Sequence, residues 1–120
     1  LPKNINVLNL VGKTSINDLI SLILQSNFVV ANDNGIHHLS NFLKKRTLTL
    51  YNFSSYSVYN WPNIDSEYIF NPKFACMPCV GKKSGPFDNY PFKCPWQVRC
   101  KNTISDHDIL KKLEVLNWIR

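Results

Sequence analysis

No run of this 120-residue chain is apolar for long enough to cross a membrane. Its most apolar stretch, residues 19–31, is interrupted by Ser21, Gln25, Ser26 and Asn27, whereas a spanning helix needs roughly 20 mostly apolar residues. The opening residues lack a basic start followed by an apolar core, so no secretory leader is expected. Methionine occurs once, at Met77, and the first residue is Leu1; the expectation is a piece of a longer reading frame. Repeats and low-complexity tracts are missing too. What remains, with a hydrophobic fraction of 44%, has the make-up of one globular domain.

Acidic residues are scarce, eight against fourteen Lys and Arg, for a net charge of +6. The imbalance concentrates in residues 73–101, where Lys73, Lys82, Lys83, Lys93, Arg99 and Lys101 face Asp88 alone. Such a patch could attract nucleic acid, phosphate groups or an anionic membrane face; the plainer account is a solvated surface loop. All four cysteines lie in the same segment.

The first 53 residues read as alternating strands and helices. Residues 5–10 are rich in branched side chains and predict a strand, which Gly12 ends. Ser15 with Asp18 is a capping signature, and Ile16, Leu19, Ile20 and Ile23 then recur at helical spacing, predicting a helix over 15–26. Phe28-Val29-Val30-Ala31 is a short continuous apolar run, as in a strand covered on both faces. After the turn-forming Asn32-Asp33-Asn34-Gly35 comes a helix over 35–44, with Ile36, Leu39 and Leu43 as its apolar face. Lys44, Lys45 and Arg46 close it, well placed for the negative helix end. Residues 47–53 alternate and predict a third strand. This order predicts an α/β fold with a parallel sheet, its strands near 6–10, 28–31 and 48–51 adjacent.

The regularity stops at residues 54–104. Six of the seven prolines and all the cysteines fall there, and only Tyr68-Ile69-Phe70 suggests an edge strand. A loop of that length is usually functional or pinned. Ser105 with Asp108 repeats the capping signature, and a helix over 105–120 is expected, with Ile109, Leu110, Leu113, Leu116 and Ile119 as its stripe. The organisation is therefore a core (1–53), an irregular Cys-rich segment (54–104) and a C-terminal helix (105–120) within one domain.

The stretch most suited to chemistry is residues 29–39. A buried strand ends in a carboxylate, Asp33, and a helix starts at Gly35 pointing back at the strand end. Phosphorylated ligands bind in this crevice in open α/β sheets. Gly35 would let a diphosphate approach the backbone, Asp33 could accept hydrogen bonds from sugar hydroxyls, and His38 could offer a donor or charge to a phosphate. Against this stands an ordinary Asp-Asn-Gly turn in which Asp33 merely caps the helix. His37 is read as solvent-facing, about 100° around the helix from His38.

The cysteines follow Cys76-x2-Cys79-x14-Cys94-x5-Cys100. The first pair has metal-ligand spacing and the last gap is looser than usual. A structural metal site, free thiols and disulfides all remain open; a metal bound by four thiolates would carry negative charge that the nearby lysines could offset.

Taken together, Asn9-Leu10-Val11-Gly12-Lys13-Thr14-Ser15, the helix 16–26, the run from Phe28 to Leu39 and the strand 47–51 resemble glycosyltransferase family 9. This family contains the ADP-heptose:lipopolysaccharide heptosyltransferases, bacterial enzymes with a Gly-Lys-Thr-Ser-like start and a later Asp-Ser-Gly-x-x-His-Leu motif. Asn34 stands where that motif usually has Ser or Thr. Cys-x-Pro-Cys followed by later cysteines is also common near the end of such proteins. The resemblance implies a Rossmann-like parallel sheet forming the C-terminal half of a two-domain glycosyltransferase of the B-type fold. It implies a nucleotide-sugar, ADP-heptose, as donor, with Asp33, Asn34, Gly35 and His38 matching the donor-binding motif. The general base would lie in the missing N-terminal domain, so no catalytic residue is expected here. The acceptor would be lipopolysaccharide core, or a protein if the chain belongs with the autotransporter heptosyltransferases, whose cysteine tetrad holds iron. Zinc is the first metal expected at Cys76, Cys79, Cys94 and Cys100, iron the second. The implied location is cytoplasmic, with peripheral contact at the inner membrane. The rival reading is a metal-stabilised basic module binding nucleic acid through Lys82, Lys83, Lys93, Trp96 and Arg99. The α/β half has no place in such a module, so no nucleic acid is expected.

Overall fold

The computed structural model describes residues 6–59, 65–79 and 99–119. Along the chain come α1 (Ile16–Gln25), β1 (Val29–Asn32), α2 (Gly35–Phe42), β2 (Thr47–Tyr51), the one-turn α3 (Tyr56–Tyr59) and β3 (Ser66–Phe70). A 3₁₀ turn at Arg99–Asn102 and α4 (Asp106–Val115) follow. The strands form one sheet in the order β1-β2-β3, and both pairings are parallel. A parallel sheet with helices is the α/β class expected from the strand–helix alternation, but only β2 is buried along most of its length, and β1, expected to be covered on both faces, leaves Val30 39% exposed at the sheet edge.

The sheet differs from expectation in its membership. Residues 6–10 form no strand, and Val7 and Leu8 are 70% and 77% exposed. Strand β3 is a sheet member instead, pairing Thr49 with Tyr68 and Tyr51 with Phe70. Alternation of apolar and polar residues fixes which face a strand would bury, but not whether a neighbour exists to hydrogen-bond it. Strand β3 and α3 also give regular structure to a segment otherwise read as irregular.

Local chemistry sets the helix ends. In α1, Ser15 Oγ accepts from the Asp18 amide at 3.2 Å while Asp18 accepts from the Ser15 amide at 2.9 Å. Ser105 and Asp108 repeat this at α4, with 3.2 and 2.8 Å. Both are reciprocal capping boxes that satisfy otherwise orphaned N–H groups. Helix α2 ends with Lys44 in the left-handed region, φ 55°. The Lys44 amide donates to Asn41 O and the Lys45 amide to Ser40 O, both at 2.9 Å, the double closure of a Schellman end. The Lys45 side chain, expected to close its own helix, serves a different one. Its ammonium donates to Leu24 O at 2.8 Å and Ser26 O at 2.9 Å, closing α1.

Helices cover both sheet faces. His37 meets Tyr51 edge-on at 5.8 Å, which puts α2 on the face carrying Thr47, Thr49 and Tyr51. The Lys112–Glu67 pair at 2.9 Å puts α4 on the opposite face, where Leu48 is fully buried. The α4 stripe is narrower than expected, because Leu113 is buried but Leu110 is 53% exposed. At the C-terminal edge of the sheet, the Cys79 amide donates to Phe53 O at 2.8 Å. Thr103 Oγ1 reaches Asn52 at 3.3 Å and Asn71 Nδ2 reaches Thr103 O at 3.1 Å. The flanks of the cysteine segment are thus fastened to the ends of β2 and β3.

Candidate functional site

The crevice beyond β1 is built by a change of backbone direction at Asn32-Asp33-Asn34. Asn34, with extended backbone, is the N-cap of α2. Its Oδ1 accepts from the Ile36 amide at 2.9 Å and the His37 amide at 3.4 Å. Capping therefore falls to Asn34, which leaves Asp33 to face the crevice. The same cap occupies the Ile36 and His37 N–H groups, so the helix start offers its dipole and side chains more than those amides. A Cβ added at Gly35 would meet nothing within 4 Å, so the space beside this residue is open.

Asp33 gathers both histidines. One carboxylate oxygen lies 3.5 Å from His37 Nδ1 and 3.9 Å from His38 Nε2. The His38 side chain is 42% exposed and the Asp33 side chain 15%, whereas that of His37 is fully buried. The expectation of a solvent-facing His37 is thereby corrected. The buried face of α2 is His37, Ser40 and Asn41, not Ile36, Leu39 and Leu43, and Ile36 is 37% exposed. The spacing of the buried trio is helical, but its polarity hid it from a search for apolar periodicity.

Burial holds the His37 pKa below its ordinary value, reinforced by His38 and opposed by Asp33. Burial pushes the Tyr51 hydroxyl upward, with Asp33 adding to the shift. His37 is thus a neutral imidazole near neutral pH, wedged between a carboxylate and an un-ionised phenol.

The four nominated donor residues, Asp33, Asn34, Gly35 and His38, sit together at this edge. Of the cysteine set, Cys79 and Cys100 are buried and Cys76 is half-buried. Cys94 lies outside the described residues, as do Lys82, Lys83, Lys93 and Trp96.

Residues 1–90 match the family described as glycosyltransferase family 9 (heptosyltransferase). The chain belongs to that family. It is 32% identical over 111 residues to lipooligosaccharide heptosyltransferase 2 of Campylobacter jejuni subsp. jejuni serotype O:2. The corresponding protein of serotype O:6 is 29% identical over 112 residues. Each alignment covers 92% of this chain but 34% and 33% of the relative, so the chain spans about a third of the length of these family 9 proteins. No solved structure matches it. The parallel sheet and the position of Asp33 at its C-terminal edge agree with a Rossmann-like portion of a family 9 protein.

Proposed function

We propose that this chain is the donor-binding portion of an inverting glycosyltransferase that moves heptose from ADP-heptose to a lipopolysaccharide or lipooligosaccharide core. A protein acceptor is the variant of this reading that the cysteine pattern raises. The observation that carries it is the placement of Asp33 and His38 side by side at the start of α2, with open space beside Gly35 between them in the chain. Asp33 would hold sugar hydroxyls, and His38 with the positive helix end would stabilise charge on the departing diphosphate. The acceptor hydroxyl attacks the anomeric carbon as the bond to the diphosphate breaks, and the base that takes its proton would come from another part of the enzyme. The chain alone would then hold donor without turning it over. Cysteines 76, 79, 94 and 100 would clamp the segment over the same sheet edge through zinc or iron, consistent with the burial of Cys79 and Cys100. Use of a nucleotide-sugar suggests the cytoplasmic side of the inner membrane, and no helix among the described residues is long and apolar enough to cross it.

The test is calorimetry with ADP-heptose on the full enzyme carrying Asp33→Ala or His38→Ala. Each should lose at least ~tenfold in affinity or turnover, about 1.4 kcal/mol. Unchanged affinity and rate in both variants would reduce the loop to a turn.

A further inference from the structure

We propose that His37 is a positioning residue for Asp33: from inside the fold its ring Nδ1–H steers the carboxylate toward the crevice, so that a side chain the donor never touches sets donor affinity. The inference rests on the donor-binding role proposed above for Asp33 and adds a residue to it. Position 37 is an unspecified place in the motif Asp-Ser-Gly-x-x-His-Leu, so the motif gives this histidine no task. Its geometry does. His37 follows Asp33 by four residues, one turn along the same side of the helix start, and its Nδ1 lies 3.5 Å from an Asp33 oxygen. The Asp33 side chain is 15% exposed and that of His37 is fully buried, so the carboxylate reaches the crevice and the imidazole does not.

Packing leaves the ring little freedom to point elsewhere. It meets Tyr51 edge-on at 5.8 Å and the His38 ring at 4.6 Å. Neither of its nitrogens has a hydrogen-bond partner among the described residues. Buried polar atoms are rarely left so, because their lost hydration is not recovered. Asp33 supplies the partner. The 3.5 Å separation is only a few tenths of an ångström beyond the ~2.7–3.2 Å of an N–H···O bond, and contacts of this kind tighten once a ligand fixes the carboxylate. A neutral imidazole carries one N–H. On Nδ1 it donates to Asp33 and leaves Nε2 an acceptor, in a layer that also buries the unpartnered hydroxyls of Ser40, Thr49 and Tyr51.

Two substitutions in the full enzyme separate positioning from packing. His37→Phe keeps an aromatic ring in the space and has no donor. His37→Asn places an amide N–H where Nδ1 stood but leaves a void behind it. Stability should therefore favour Phe over Asn in thermal melts, while calorimetric affinity for ADP-heptose should run the other way. His37→Phe should bind ~fivefold more weakly, the order of one hydrogen bond, and His37→Asn should stay within ~twofold of the parent. In the unmutated enzyme with ¹⁵N-labelled histidine, the ring signals lost in His37→Asn should be those of an Nδ1–H tautomer. An affinity order that follows stability, equal losses in both variants, or an Nε2–H tautomer at His37 would overturn the proposal. Full affinity in His37→Phe beside a loss in Asp33→Ala would overturn this inference alone. An unchanged Asp33→Ala enzyme would remove the donor reading, and this inference with it.

Discussion

Replacing Lys45 by Met should loosen the seam between α1 and the sheet. The ammonium donates to Leu24 O and Ser26 O at 2.8 and 2.9 Å, two carbonyls at the end of a helix that has no basic residue in its own last turn. Met keeps the length and apolar stem of the side chain and removes only the donors and the charge. A hydrogen bond from a charged group contributes ~1.5–3 kcal/mol. Lys45 is only half-buried and the Leu24 contact is exposed, so solvent screens part of this, and ~2 kcal/mol for both together is the reasoned figure. For a chain of this size that lowers Tm by roughly 8 °C. Thermal melts followed by circular dichroism would measure it, with Lys111→Met at an exposed site of α4 as control, expected within ~0.5 kcal/mol of the parent. A Lys45→Met protein that melts with the control would show that water caps α1 equally well.

Two further outcomes follow from backbone and charge. Lys44→Gly relieves a left-handed residue at the Schellman end of α2 and should stabilise the chain by up to ~1 kcal/mol, read as a higher urea midpoint at unchanged slope. A lower midpoint would mean that the lysine side chain matters more than its φ. The Ser15 hydroxyl, then its amide, hold Asp18 below its ordinary 3.8, and the Ser105 amide, then its hydroxyl, do the same for Asp108. Both folded values are depressed, so the stabilisation is complete above the ordinary carboxylate value and is lost as pH falls through the lowered ones. Acid titration of helicity should be shallower in a Ser15→Ala, Ser105→Ala protein, and identical curves would contradict the caps.

The parts of this fold legible in the sequence are those closed by near neighbours. Both capping boxes were readable because a serine and an aspartate three residues apart need nothing else to close. Strands β1 and β2 were readable from composition and from the helix between them. Strand β3 was readable as an edge strand at 68–70 from its apolar run, but not its pairing with β2, since it lies some 15 residues beyond β2 and pairing across that distance leaves no local mark. The site was half legible. Asp33 and His38 stand out as polar residues at a strand–helix junction, whereas His37 looked ordinary until burial showed it against Tyr51. The signal available was its place four residues after Asp33, one helical turn away on the same side.

That geometry also accounts for Asn34, the one departure from the motif the chain resembles. Ser, Thr and Asn are the residue types that cap helices, because each places a side-chain oxygen within reach of the second and third amides. Asn34 does this with both Ile36 and His37. The exchange therefore preserves the role that position 34 visibly plays, which is structural. Were Asp33 the cap instead, its carboxylate would be spent on the helix amides and turned away from both histidines. With Asn34 as cap, Asp33 keeps the oxygen that His37 and His38 share. Substitution at position 34 among Ser, Thr and Asn should accordingly alter helix stability before it alters ligand affinity, whereas any change at Asp33 acts on the crevice first.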